Sequence, residues 1–169
     1  TAISVEDIKN TSKPLVQRCR IKVPNYAQKT GKRLFLQPGF FAYGPSAMFS
    51  SSTRQYDIFF RYPWSENDSV TFELPAGFKL DSPDAPTPFS HPQKIGSLDI
   101  NLRYNAAKNI LYLDRSFFFG AGQSMLFSSR SYTALKGIFD DFHKIDSHTI
   151  TLWQNLALRV PLVFPLEIS

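Results

Sequence analysis

The sequence holds a single cysteine, Cys19, among its 169 residues. One cysteine excludes an intramolecular disulfide and any metal site built from several thiolates. No apolar run approaches the about 20 residues that a membrane-spanning helix needs, and the first ten residues lack the charged region and apolar core of a signal peptide. An initiator methionine is also absent, which predicts that the chain is a piece of a longer protein.

Motifs that carry catalysis or bind cofactors are missing as well. No glycine-rich loop leads from a strand pattern into a helix pattern, so phosphate binding has no support. His91, His143 and His148 lack the i, i+4 spacing of metal ligands on one helix face, and surface positions are the simpler interpretation. Cys19 falls within a strand pattern rather than at a helix start, where reactive thiolates are usually found. We therefore expect no catalytic, cofactor-binding or metal-binding residues, and a chain that is not itself an enzyme.

Basic residues outnumber acidic ones without forming a run. The chain has 19 Lys and Arg against 14 Asp and Glu, a net charge of +5. A basic protein can bind nucleic acid or an anionic membrane, yet the sequence contains no basic run and no nucleic-acid-binding motif. We expect no nucleic-acid partner and no transmembrane segment, and we interpret the scattered charges as solvated faces of sheets.

Aromatic residues and prolines are abundant instead, with sixteen Phe, seven Tyr, two Trp and twelve Pro. Aromatic side chains favour strands, and dispersed prolines favour many short elements over long helices. Tyr62, Trp64 and Trp153, together with Tyr43, are candidates for a platform that faces a ligand and stacks on a sugar ring. Core packing explains the same residues at least as well.

Period-2 alternation of apolar residues predicts most of the strands. Residues 70–80, VTFELPAGFKL, predict a strand, a turn with Pro75 in its second position, and a further strand. Residues 97–104 and 110–119 predict a hairpin. Residues 56–62 are expected to pair with residues 70–74 across a WSEND turn.

Two further segments complete the strand and loop assignment. Residues 14–23 alternate so that Leu15, Cys19, Ile21 and Val23 share a face, which predicts that they point into the core. Residues 83–92 contain four prolines and predict a loop.

From residue 131 the apolar spacing becomes helical, and Ser128, Ser129 or Ser131 is available to cap the helix start. A strand over residues 149–153 follows. The fold class expected is all-β, an antiparallel two-sheet β-sandwich of about seven to nine strands with one α-helix near the C-terminus. Residues 1–153 are expected to form this single domain, and residues 154–169 an apolar tail or edge segment. The apolar residues that define the helix are Tyr132, Leu135, Ile138, Phe139, Phe142 and Ile145.

The order of these elements resembles the C-terminal β-rich domain, of unknown function, of bacterial multidomain proteins with a transglutaminase-like core. The resemblance covers residues 5–153. The segments that carry it are KPLVQRCRIKVPNYAQ, KRLFLQPGFF, RQYDIFFRYPW, VTFELPAGFKL, LRYNAAKNILYLDRSFFF and YTALKGIFDDFHKIDSHTITL.

The resemblance implies a non-catalytic accessory domain attached to an upstream transglutaminase-like domain of papain-like architecture. The Cys, His and Asp motifs of that core have no counterpart here, and Cys19 matches none of them. It also implies a periplasmic or extracellular location in the bacterial envelope, where an envelope polysaccharide or protein is a further candidate partner. The alternative is a free-standing carbohydrate- or peptide-binding β-sandwich.

Overall fold

Antiparallel strand pairs and one α-helix make up the computed structural model, which describes residues 2–20, 23–40, 47–82, 84–120, 125–154 and 166–167. The helix, α1 (Tyr132–Asp146), follows a 3₁₀ turn at Ser129–Ser131. The strands within these ranges are β1 (Ala2–Glu6), β2 (Val16–Arg20), β3 (Gln28–Thr30), β4 (Arg33–Leu36), β5 (Ile58–Phe59), β6 (Trp64–Glu73), β7 (Phe78–Leu80), β8 (Phe89–Ser90), β9 (Gly96–Asn105), β10 (Ile110–Phe119), β11 (Leu126–Phe127), β12 (Ile150–Gln154) and β13 (Leu166–Glu167).

Two larger sheets and two separate strand pairs organise these elements. One sheet has the order β13-β6-β10-β9-β8 and the other the order β3-β4-β12-β7. Buried side chains from both sheets and from α1 join one hydrophobic core. The predicted class, an antiparallel β-fold with one helix near the C-terminus, is confirmed. The pairs β1–β2 and β5–β11 lie outside the two larger sheets, so the strands exceed the predicted number.

The hairpin β9–β10 forms the centre of the five-stranded sheet, as predicted. In both strands buried inward residues alternate with more exposed outward residues, which are polar in β9 but include Ile110 and Phe118 in β10. The turn residue Asn109 adopts a positive φ of 55°, and its side-chain amide donates to the carbonyls of Leu74 (3.2 Å) and Phe78 (3.0 Å). The hairpin turn is therefore tied to the connection that follows β6.

That connection carries the chain from one larger sheet to the other. The strands predicted over residues 70–80 both form, but β6 pairs with β10 whereas β7 pairs with β12. The Phe78 amide donates to the Pro75 carbonyl at 3.0 Å. Pro75 is thus the first residue of the turn rather than the second, and Gly77 supplies the positive φ of 83° that a tight turn of this kind needs.

The pairing predicted for residues 56–62 is wrong. That segment contributes only β5, which pairs with β11, and the WSEND sequence is the first half of the ten-residue strand β6, paired with β10 along its whole length. The polar sequence resembles a turn because Glu66 and Asp68 occupy inward positions that a strand usually fills with apolar residues. These two carboxylates are paired with Arg115 of β10.

The helix packs its apolar residues on the sheets as predicted, and Leu135, Ile138 and Phe142 are all buried. Its approach to β9 depends on Gly96, where a Cβ atom would lie 2.8 Å from Cζ of Phe142. Among the predicted caps, Ser128 accepts a hydrogen bond in the 3₁₀ turn from the Arg130 amide (3.2 Å).

The expected burial of the 14–23 strand is wrong for Leu15 and Val23, which are both exposed. Strand β2 pairs with β1 in a separate two-stranded ribbon, so in the described structure no sheet covers its apolar side. The Cys19 side chain and Ile21 lie outside what the structure describes. The described part of the predicted proline-rich loop contains one short strand, β8, which pairs with β9.

Candidate functional site

Arg115, on the inward face of β10, and three carboxylates around it form a cluster of four charged side chains. Alternation along β10 places residue 115 on the same side as Leu113 and Phe117, both of which are buried. Arg115 is itself only 5% exposed. A buried guanidinium requires compensating partners, since an unpaired charge in the core is costly.

Three carboxylates supply that compensation. The Arg115 Nε and Nη2 groups donate to the two oxygens of Asp146 at 2.7 and 2.9 Å, a bidentate pair. Nη1 donates to Glu66 Oε2 (3.0 Å) and Asp68 Oδ2 (3.1 Å). A guanidinium has five N–H donors, so these four hydrogen bonds occupy nearly all of its capacity.

The exposure of the three carboxylates increases from Asp146, next to the core, to Glu66, at the surface. The side chain of Asp146 is 10% exposed, that of Asp68 23% and that of Glu66 49%. Burial raises the pKa of Asp146 above its usual range, and the hydrogen bonds from Arg115 oppose that rise. Burial alone would lower the pKa of Arg115, but its bonds with Asp146 and Glu66 outweigh burial and raise it.

The position of Asp146 explains what the cluster holds in place. Asp146 is the last residue of α1, where the helix dipole disfavours an anion, so the positive charge of Arg115 offsets both that field and the burial. The loop after β4 approaches the same helix end, because a Cβ at Gly39 would lie 2.9 Å from the Asp146 carbonyl oxygen. The side-chain amide of Gln37 also donates to the Ser147 backbone carbonyl at 3.2 Å. The end of α1 is therefore held by both larger sheets.

Sequence reasoning missed this cluster, although a signal was present. Arg115 interrupts an otherwise apolar set of alternating positions in β10, with buried neighbours two residues away on either side. Asp146 follows the buried Phe142 by four residues, which places both on one helix face. Two opposite charges at core positions of two predicted elements indicate a buried ion pair.

The structure does not bring the predicted aromatic residues together. Tyr62 is exposed just before β6, and Trp153 is exposed on β12, where the Arg33 guanidinium lies 5.7 Å from its ring. Trp64 is half-buried at the start of β6 and packs on Phe119, with ring centroids 5.1 Å apart. In the described ranges no ring contact joins any two of these three predicted residues. Tyr43 lies outside those ranges.

The histidines that the structure describes are separate from one another. His148 Nε2 lies 2.8 Å from the Asp84 carbonyl oxygen, and His143 Nε2 lies 3.5 Å from the Ser147 hydroxyl. His91 is in the turn before β9, where its backbone amide donates to the Gly96 carbonyl. Across the described part of the chain, no three His, Cys, Asp or Glu side chains are grouped so as to hold a metal ion.

The ribbon formed by β1 and β2 presents a second notable surface. Ile3 and Val5 share one face of β1 and are exposed, as is Ile8 in the following turn. On the opposite face, Arg18 Nε donates to Glu6 Oε1 at 3.0 Å. A shallow, open depression of about 650 Å³ lies beside the turn, lined by Val5, Asp7, Ile8, Lys9, Asn10 and Thr11.

The architecture is that of an antiparallel β-domain with one helix packed near its C-terminus, and a comparison with protein families gave one match. Residues 32–152, more than two thirds of the chain, match the family described as Domain of Unknown Function with solved-structure structure (DUF3858), and the chain belongs to that family. Comparisons with curated proteins and with solved structures each gave no match. The ribbon lies before the matched residues, whereas the whole Arg115 cluster lies within them. In the described residues no helix is long and apolar enough to cross a bilayer.

Proposed function

We propose that this chain is a non-catalytic accessory or interaction domain of a bacterial envelope protein whose upstream part is a transglutaminase-like enzyme. The support for this proposal is that the order of strands and helix resembles the β-rich domain that follows such a core. The family matched by residues 32–152 is one of unknown function and assigns no role itself. In this role the domain shields the catalytic cleft, orients the enzyme in the envelope, or binds the substrate.

The Arg115 cluster is the observation that carries the non-catalytic part of the proposal. A general acid, base or nucleophile must present a reactive atom to a substrate, whereas these four charged groups are directed at one another. Every buried side-chain nitrogen and oxygen within the described ranges has a hydrogen-bond partner. The buried polar chemistry here stabilises the packing of α1 on the sheets.

The test compares three proteins: the product of the complete reading frame, its part upstream of Thr1, and the present chain. Cysteine-dependent amide hydrolysis and amine transfer to a glutamine peptide are measured for each. The upstream part is expected to contain a Cys, His and Asp constellation and to hold all of the activity, while the present chain changes kcat or KM without turnover of its own. A reading frame without such a domain would contradict the proposal, and so would turnover by the isolated chain.

A carbohydrate- or peptide-binding role is the second candidate, and the pairing of Trp153 with Arg33 favours it. An exposed indole beside a guanidinium offers an apolar face and hydrogen-bond donors to a ring with hydroxyl groups. Peptidoglycan and glycan pull-down by the isolated chain tests this role, with Trp153→Ala as the binding variant and the exposed Tyr56→Ala as its control. Retention of equal amounts by the two variants, or no retention by the unchanged chain, would exclude it.

A further inference from the structure

The outer face of the four-stranded sheet β3-β4-β12-β7 carries an indole between two cations. The strand register places three residues in one row, because Trp153 of β12 is the direct partner of Arg33 on β4 and of Lys79 on β7. Neighbouring strands lie about 4.8 Å apart, so each cation starts one strand away from the tryptophan, on opposite sides of it. Trp153 is 43% exposed, and Arg33 and Lys79 are exposed. This row therefore presents an apolar ring and two positive charges to the solvent.

The two charges in this row are not neutralised by the protein. Within the described ranges neither Arg33 nor Lys79 forms an ion pair. A comparable pair lies on the outer face of the other larger sheet, where the Arg103 guanidinium is 5.5 Å from the ring of its cross-strand partner Tyr112. There Nη2 of Arg103 also donates to Asp114 Oδ2 at 2.7 Å. The charge of Arg103 is thus compensated, whereas that of Arg33 remains available to a ligand.

The next row along the same face supplies groups that can bind hydroxyls. Phe35 of β4 pairs with Thr151 of β12 and with Gln28 of β3. The Asp81 amide donates to the Thr151 carbonyl at 3.0 Å, which places Asp81 beside Thr151 at the other end of the row. The hydroxyl, amide and carboxylate of these side chains can donate hydrogen bonds to sugar hydroxyls or accept them. A ligand that combines hydroxyls with negative charge therefore suits the two rows together.

We propose that this face binds an acidic polysaccharide, through a sugar ring that stacks on Trp153 and sugar carboxylates that pair with Arg33 and Lys79. The inference rests on the carbohydrate-binding role proposed above and adds the class of sugar to it. The indole offers a flat apolar surface to the C–H groups of a sugar ring. An arginine presents two parallel N–H donors to a carboxylate, and a lysine adds a compact charge.

The composition of the face favours this ligand over two others. Proteins that bind single-stranded nucleic acid without sequence preference stack successive bases on several aromatic side chains. Among the outward positions of these four strands only the ring of Trp153 is exposed, because Phe35 is half-buried. The carboxylate of Asp81 would also repel nearby phosphates. An uncharged sugar would use the ring and the hydroxyl-binding groups but neither cation.

Calorimetric titration tests the site with one polymer in two forms. Polygalacturonate carries a carboxylate on each ring, and its full methyl ester keeps the rings but removes the charge. We expect the ester to bind the chain about tenfold more weakly or worse. Trp153→Ala should weaken the binding of polygalacturonate at least about tenfold, and Arg33→Gln and Lys79→Gln about fivefold each. Arg103→Gln removes the same charge from the other sheet and should leave the Kd unchanged. Alginate, a second polymer of carboxylated sugars, is titrated in parallel, and the melting temperature of each variant is measured first.

The outcomes separate the acidic ligand from the carbohydrate-binding role. Equal binding of polygalacturonate and its ester, with Arg33→Gln and Lys79→Gln unaffected, would overturn the acidic ligand and leave that role standing. Equal losses in Arg33→Gln and Arg103→Gln would show that total charge attracts the polymer, which would overturn the site. Tighter binding of the oligonucleotide poly(dT) than of polygalacturonate would overturn the inference in favour of nucleic acid. If neither acidic polymer binds, the inference fails, and the glycan pull-down decides separately whether the carbohydrate-binding role survives.

Discussion

Replacement of Arg115 by Met is the sharpest test of how α1 is held to the sheets. Methionine keeps an unbranched apolar stem but removes all four hydrogen bonds and the positive charge. Asp146 would then be an isolated carboxylate whose side chain is only 10% exposed. Loss of one partner of a buried ion pair costs about 3–5 kcal/mol, a large part of the about 5–15 kcal/mol by which a domain is stable.

Urea unfolding measures the effect, and a second arginine provides the matched control. Arg103 of β9 also bonds an aspartate, with Nη2 2.7 Å from Asp114 Oδ2, but both side chains are exposed. Exposed pairs contribute about 0–1 kcal/mol, so Arg103→Met should have a small effect. The double variant Arg115→Met with Asp146→Leu should recover part of the loss, because most of the cost comes from the carboxylate left without a partner.

The pH dependence of the same variant checks the cause. Without Arg115 nothing opposes burial, so the pKa of Asp146 should rise further. A carboxyl group whose folded pKa exceeds its unfolded value binds its proton first in the folded state, so its effect on stability becomes more favourable as pH falls. The deficit of Arg115→Met should therefore shrink between about pH 7 and about pH 5. A deficit below about 1 kcal/mol, or equal to that of Arg103→Met, would refute the reasoning.

Three further predictions concern the core and the outer sheet face. Phe139→Asp should lower the unfolding free energy by about 3 kcal/mol or more because it buries a carboxylate among aromatic rings, and thermal melting no lower than that of Phe59→Asp would contradict the packing of α1. Gly96→Ala should destabilise the protein because the added Cβ would lie 2.8 Å from the Phe142 side chain of α1. Gly137→Ala should stabilise the protein by about 0.5–1 kcal/mol, because nothing lies within 4 Å of the added Cβ and alanine favours a helix. Melting temperatures that moved in the same direction would refute this contrast. Hydrogen bonds from Arg103 and Ser69 lower the pKa of Asp114. The stabilisation that Asp114 provides is therefore present above its unfolded pKa and lost as pH falls through its folded pKa. Asp114→Asn should flatten the acid side of the curve of stability against pH, and an unchanged curve would contradict this prediction.

The elements that the sequence predicted correctly have inward positions filled by apolar residues, except at Arg115 of β10 and Asp146 of α1. In β9, β10 and α1 the period of burial matches the period of hydrophobicity, so local pattern was sufficient. The first half of strand β6 was instead predicted as a turn. Its first half places Glu66 and Asp68 inward, and the group that makes this tolerable is Arg115, more than forty residues further along the chain. The pattern of residues within β6 therefore gives no sign that Arg115 is available to pair with these two carboxylates.

The ribbon shows a different limit of sequence reasoning. Alternation over residues 14–23 predicted one apolar face and one polar face, but alternation says only that a face is apolar. Whether another part of the same chain covers it depends on tertiary arrangement, and Leu15 is exposed in the described structure. The same holds for Trp153, whose position on an outward face follows from its neighbour Leu152, which is fully buried.

The inward charges of β6 also bear on how this sheet avoids pairing with other chains. One side of β6 pairs with β10 over ten residues, whereas the other side pairs, within the described ranges, only at Thr71 and Phe72 with β13. An open strand edge invites pairing with another chain, and inward-pointing charges are one way in which proteins prevent it. A foreign strand docked along the first half of β6 would bury Glu66 further without offering it a second cation. We therefore expect the inward charges of the Arg115 cluster, whose ion pairs hold the end of α1, also to make this edge unfavourable for an incoming strand.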